Sequence, residues 1–307
     1  MNNDEAVAPV VAVLLILAVI VTLISLYQCT YIPSLKQQAE VGHLGDVERE
    51  FLSFSSDIEN AVWRKSEGSL SRNIQLGGGD VFLSGIKSGG VLKVEEDSLL
   101  FGVSNSTGHT FNSSLIKFSY EPLGNFWQNQ GYSWQKGIVN LTTGYGKETP
   151  LLFRDMASIP EDENKIFSSL FDMNYKYRPV LKKDAKGNVT GIFYNCSEVS
   201  VTITNFTISE NTYVSGNGPA KLGLSINEEI SWSDETSLNF FVHDESYGAN
   251  PVWQSINSNL LNFMEEEFDN VDSNAGSVEC GEELYIHFTS PPVKVNIRQI
   301  SLSVSVF

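Results

Sequence analysis

The pattern of apolar and polar positions changes period along the chain, and each change predicts an element. From Ala6 to Tyr27 the run is almost wholly apolar: no charge falls between Val7 and Leu26, and only Thr22 and Ser25 carry hydroxyls. As a helix at 1.5 Å per residue this run reaches about 33 Å, enough to cross a bilayer core. It is too long for the apolar region of a secretory signal, and the basic lead-in and small-residue cleavage pattern of such a signal are absent. The reading is a transmembrane helix over 6–27 with membrane lipid as its surroundings. Cys29-Thr30-Tyr31-Ile32-Pro33 then reads as a break at the membrane interface, with Tyr27 and Tyr31 as interfacial aromatics and Pro33 opening a new helix.

From Ser34 to about Lys65 the apolar positions fall at helical spacing. Leu44, Val47, Phe51, Phe54, Ile58 and Ala61 form a heptad-like stripe, with Glu48, Arg49, Glu50, Asp57 and Glu59 on the other faces. This predicts an amphipathic stem helix over 34–65, weakened early by Gly42 and Gly45, which would permit a bend. The stripe has two readings: it packs on the chain's own head, or it packs on neighbouring subunits.

From Asn73 onward the period becomes two. Segments 115–120, 137–141 and 191–194 read as strands, and the clearest runs from Val199 to Ile208. There Val199, Val201 and Ile203 share one side before the apolar phase slips to Phe206 and Ile208, the signature of a bulge or bend. Val293, Val295 and Ile297 slip in the same way to Ile300, Leu302, Val304 and Val306. Gly77-Gly78-Gly79, Gly89-Gly90 and Gly216-Asn217-Gly218 read as turns. One late helix interrupts the strands from Pro251 to Phe268, its apolar face marked by Val252, Ile256, Leu260, Phe263 and Met264. The fold class expected is α+β, mostly β: a long helical stem, then a β-sandwich-like head over 73–307 with one late helix.

Charge and chemistry narrow the function classes. The net charge is −17 with no basic stripe, which argues against nucleic acid as a partner. The histidines, His43, His109, His243 and His287, are scattered, and no HExxH or calcium-loop pattern occurs. His243-Asp244-Glu245-Ser246 is the one dense polar constellation and reads as a solvated loop, because neighbours along a strand or turn point apart. Nothing indicates an enzyme, a metal or a cofactor. Cys29 lies at the membrane edge, and Cys196 and Cys280 lie in the head. Those two either form a bridge, closing a loop of about 85 residues at about 4 to 5 kcal/mol in the chain-entropy model, or stay separate buried thiols. Sequons at Asn105, Asn112, Asn140, Asn188, Asn195 and Asn205 are glycan acceptors if the head is exported. No Lys or Arg precedes Lys36, which by the positive-inside bias alone would favour a cytoplasmic head.

The segment Asp4-Glu5-Ala6-Val7-Ala8-Pro9-Val10-Val11-Ala12-Val13-Leu14-Leu15 resembles the N-terminus of archaeal type IV pilin-like proteins. Ala8 stands for that family's usual Ser and Ala12 for its usual Gly. Tyr31-Ile32-Pro33 with Gln38-Ala39-Glu40, His43, Val47 and Phe51 resembles the region after the stem in larger members, so the likeness covers about the first 65 residues. The resemblance implies a short leader over 1–5, removed by a prepilin peptidase near Asn3–Glu5, with Asp4, Glu5 and Pro9 as processing and assembly candidates. The family leader carries Lys or Arg, whereas Met1-Asn2-Asn3-Asp4 carries neither. It further implies an extracellular head on the cell membrane, and a stem that packs with copies of itself or other pilin-like subunits into a surface filament. The other expectation is a monomeric single-pass ectodomain that binds a ligand or envelope component.

Overall fold

The computed structural model describes residues 4–65, 67–78, 81, 88–125, 129–144, 146–151, 169–242, 263, 268–274, 284–289 and 292–307. The chain begins as α1 (Asp4–Leu26), passes a π-helical turn at Tyr27–Tyr31, and continues as α2 (Ile32–Arg64). No break occurs at the expected interface. Pro33 cannot donate to the carbonyl four residues back, and its ring crowds that carbonyl. The backbone N–H of Ile32 reaches back five residues to Tyr27 O, with Leu26 and Ile32 both in right-handed helical geometry. The widened turn absorbs the proline, as single π turns do within α-helices. The helix also runs unbroken through Gly42 and Gly45.

Beyond the stem the chain is mostly β. The strands are β1 (Gly68–Gln75), β2 (Gly89–Asn105), β3 (Thr110–Leu123), β4 (Gln130–Gln135), β5 (Ile138–Thr143), β6 (Glu148–Pro150) and β7 (Phe171–Lys183). They continue as β8 (Val189–Ile208), β9 (Tyr213–Gly216), β10 (Pro219–Glu235), β11 (Ser237–Val242), β12 (Val271–Asn274), β13 (Leu284–Phe288) and β14 (Val293–Val306). Among the described residues they form two sheets. The smaller has the order β1-β10-β14-β8-β7; the larger runs β12-β13-β11-β2-β3-β4-β5-β6, with β9 beside β2. The pair β14·β8 is parallel, and the other ladders are antiparallel.

The stem stripe is the spine of the head. Leu44, Val47, Phe51, Phe54, Ile58 and Ala61 are all buried in one core with both sheets, so the stripe packs on the chain's own head. Phe51 and Phe54 each lie 5.3 Å from the Phe118 ring, Phe118 stacks on Trp134 at 5.1 Å, and Trp134 reaches Phe206 at 5.9 Å. One aromatic column therefore joins the stem, β3, β4 and β8.

The two phase slips have a different cause from a bulge. β8 and β14 keep an unbroken register from Glu198↔Lys294 to Ile208↔Val304, and the slips in the two strands fall side by side. The sheet changes which face it buries. Ile203 is opposite Phe171, whose ring packs on Phe101 and Phe240 of the larger sheet, whereas Phe206 packs on Trp134 of β4. Register shifts occur instead in β2, between Glu96 and Phe101, and between β7 and β8.

Two further expectations are corrected or fall outside the described residues. Gly89 and Gly90 are not a turn but open β2, opposite Leu123 and Pro122. A Cβ on Gly90 would stand 2.4 Å from the Tyr120 ring, so the glycine admits that ring. The late helix over Pro251–Phe268 is not supported: 251–262 and 264–267 lie outside the described residues, and Phe268 forms a parallel bridge with Tyr194.

Candidate functional site

The stem presents two surfaces of opposite character. From Val10 to Leu26 every Val, Leu and Ile is at least 46% exposed, whereas α2 is buried along its apolar stripe. Pro9–Arg64 counts as one helix whose N-terminal part is long and apolar enough to cross a membrane. The rings of Tyr27 and Tyr31 lie 5.3 Å apart at the seam between the two surfaces.

Where the stem enters the head, polar side chains are buried with it. Lys36, Glu40 and His43 are 6%, 0% and 7% exposed, and Lys36 Nζ stands 3.9 Å from Glu40 Oε1. Tyr120 donates its hydroxyl to Leu76 O at 2.8 Å, so the His43 Nε2 that faces Tyr120 Oη at 3.0 Å is the donor nitrogen. Burial pulls the His43 pKa below its ordinary value and outweighs the opposite effects of the Leu76 backbone hydrogen bond and the Asp46 charge. Burial likewise pushes the Tyr120 phenol up. Gly78 clears the space: a Cβ there would stand 2.5 Å from His43 Cγ.

Higher on the stem, Tyr132 Oη donates to Glu48 Oε2 at 3.3 Å and Trp134 Nε1 donates to Ser55 Oγ at 3.0 Å. Three polar positions on the stem thus each meet one aromatic of β3 or β4, which fixes how far along the sheet the helix sits. At its upper end Lys65 adopts left-handed geometry (φ 49°) and Arg298 Nη2 donates to Lys65 O at 2.7 Å. Arg72 on β1 clamps Asp57 through two hydrogen bonds of 2.7 and 3.0 Å. Bidentate geometry of this kind is the favourable form of a charge pair.

A second distinctive surface lies at the opposite end of the head. β8 pairs with β14 only from Glu198 onward, and above that point 189–196 pairs with 177–183 as a two-stranded arm. Its base is held by the Tyr194–Phe268 bridge and by Asn270, whose side chain accepts from Cys196 N at 2.8 Å and donates to Cys196 O at 2.9 Å. The tip closes on Asp184, which accepts from the backbone of Lys186 and Asn188 and from Asn188 Nδ2. Those hydrogen bonds hold the Asp184 carboxyl below its usual range. Tyr177, Leu181, Ile192 and Tyr194 are exposed at 46–57% on one face of the arm, in line with the buried Phe171 and Met173 below.

The residues singled out from sequence do not converge. Asp4 and Glu5 lie in the first turn of α1, and Pro9 is exposed within it. Among the sequons only Asn188, at the arm tip, is exposed. Asn105 donates to Glu235 Oε1 at 2.9 Å, Asn205 accepts from Ser114, and Asn112, Asn140 and Asn195 are half-buried. Cys196 is a buried free thiol whose pKa burial raises to about 11, and Cys280 lies outside the described residues. His243-Asp244-Glu245-Ser246 also lies outside them. Among the described residues no group of three or more His, Cys, Asp or Glu gathers in metal-ligating geometry.

An open cleft of about 390 Å³ over β3, β4 and β5 is lined by Glu95, Lys117, Glu121, Ser133 and Glu148 among others. Lys117 Nζ bonds Glu148 Oε1 at 2.6 Å, a pairing of charges rather than a base beside a nucleophile. The buried polar positions of the stem were illegible in sequence, because charged residues at helical spacing read as solvent-facing. The arm was legible only as the strand 191–194. No family model, curated protein or solved structure matches this chain.

Proposed function

We propose that this is a pilin-like cell-surface structural protein: α1 is held in the membrane or in a filament core, and the head stands outside on α2. The observation that carries the reading is one continuous helix with two environments, bare and apolar below Tyr27 and built into the head above it. Burying a Val, Leu or Ile side chain is worth about 1.5–3 kcal/mol, and α1 exposes such residues on all sides. That surface demands an apolar surround, which lipid supplies before assembly and neighbouring α1 helices supply after it. Because α2 already uses its stripe on its own head, contacts between stems fall to α1. Few small residues interrupt α1, so its packing would rest on interdigitated aliphatic side chains rather than on close backbone approach.

Mass spectrometry of the native N-terminus tests the reading. A mature chain starting near Asp4–Glu5, together with a high-molecular-weight filament fraction, is expected. An intact Met1 with no such fraction would leave a membrane-anchored ectodomain and overturn assembly. For orientation, protease added to intact cells should degrade the head; full protection would place it on the cytoplasmic side.

A further inference from the structure

We propose that the β7–β8 arm is a docking element for a second copy of this chain, and that its seat is the upper free edge of β10. The arm is the basic part of an acidic molecule. Between Lys176 and Cys196 it carries Lys176, Arg178, Lys182, Lys183 and Lys186 against the lone Asp184. Its apolar face continues the core beyond the reach of the second sheet, leaving Tyr177, Leu181, Ile192 and Tyr194 exposed. A two-stranded hairpin with one bare apolar face is marginal alone and gains from a partner.

The matching surface lies on the opposite edge of the same sheet. β1 covers β10 only over Pro219–Ile226, so 227–235 has no strand on its outer side among the described residues. That stretch reads Asn-Glu-Glu-Ile-Ser-Trp-Ser-Asp-Glu; of its four carboxylates Glu228 is paired with Arg298 and Glu235 is buried, which leaves Glu229 and Asp234 to face outward. Glu229 and Asp234 are exposed, as is Ile230 at 51%. The sheet therefore ends in a cationic strand on one side and an anionic strand on the other. Pro179 and the lysines deter pairing between two arms, as they do on guarded edge strands, while the same lysines attract the carboxylate edge.

Register adds a geometric condition. Lys176 is level with Glu198, Glu198 with Lys294, and Lys294 with Asp234. The arm starts where the acidic edge ends and rises about 20–25 Å above it at about 3.3 Å per residue. Copies at equal height hold their arms above their neighbours' edges. Contact requires a copy displaced along the stem by about one arm length, and such a head-to-tail contact repeats without closing. This deepens the assembly reading while resting on different residues from the N-terminus.

The test uses the full-length chain in detergent, where copies are free to shift along the stem, as a mixture of isotopically light and heavy protein. A zero-length carbodiimide cross-linker should join Lys182, Lys183 or Lys186 of one copy to Glu229 or Asp234 of another. Reversing the arm (Lys182→Glu with Lys183→Glu) or the edge (Glu229→Lys with Asp234→Lys) should cut the yield between copies by about tenfold or more. Mixing the two variants should restore it, both through the native arm of the edge variant on the native edge of the arm variant and through the reversed pair. Cross-links confined to one copy, arm-to-arm cross-links, yields indifferent to reversal, or no rescue on mixing would each overturn the proposal. A processed N-terminus without arm-to-edge cross-links would sink this inference alone; cross-links with an intact Met1 would sink N-terminal processing alone.

Discussion

Truncating Phe54 to alanine should destabilise the head severely although the residue belongs to the stem. Its ring is fully buried, meets Phe118 edge-on at 5.3 Å, and belongs to the column that runs through Trp134 to Phe206. Phe→Ala in a close-packed core costs about 3–5 kcal/mol, from lost transfer free energy and the cavity left behind. For a domain of this size each kcal/mol lowers the unfolding midpoint by about 2–4 °C, so a fall of about 6–20 °C is expected. The assay is thermal unfolding of the detergent-solubilised full chain, followed by circular dichroism of the strands at one fixed heating rate. Leu15→Ala serves as the control: Leu15 is 63% exposed on α1, and its loss should leave the midpoint of the head unchanged. A Phe54→Ala midpoint within about 2 °C of the parent would refute the claim that the stem is the spine of the head, since such a shift is worth only about 0.5–1 kcal/mol.

The buried imidazole predicts a pH dependence. Because the His43 pKa is depressed in the folded state, the unfolded chain binds the proton more readily. Stability should therefore fall as pH drops through the ordinary histidine value of about 6.5 toward the depressed one. Asp46, Lys36 and Glu40 stand nearby, so the informative quantity is the difference in slope between the parent and His43→Gln. Equal slopes of unfolding midpoint between pH 7 and 5 would show that His43 is not the group responsible. The Cys196 thiol, raised to about 11, should be roughly one part in a thousand thiolate at pH 8. Peptide-resolved iodoacetamide labelling should leave it unmodified in the folded chain and modify it in guanidinium; prompt native labelling would contradict its burial.

The stem could be read from sequence because its signals are local. The uncharged run 7–26 is read from its length alone and the stripe from Leu44 to Ala61 from its helical period, and both signals survive any tertiary context. The strands were legible where one face is buried and the other wet, as in 199–203. The cause of the slip at Phe206 was not legible. A bulge and a sheet that switches its buried face leave the same mark in one strand, and only the side-by-side slip of β14 separates them. The polar positions Lys36, Glu40 and His43 were hidden because charged residues at helical spacing read as solvent-facing; His43 is buried by partners from β3 and from the chain around Leu76, far away in sequence. The arm was hidden because Pro179 and closely spaced lysines break the alternation that marks a strand, and its free acidic counterpart is defined by where β1 stops.

The π turn at Tyr27–Tyr31 governs how α1 and the head face one another. A residue added to an ordinary α-helix turns everything beyond it by about 100°. A wide turn instead takes up an extra residue locally, so the helices on either side keep their relative bearing. The seam therefore sets the azimuth of the head on α1, independently of the exposed apolar surface below and the packed stripe above. Gain or loss of one residue between Leu26 and Pro33 would change that azimuth, or the stiffness of the joint, without altering a single contact in the head.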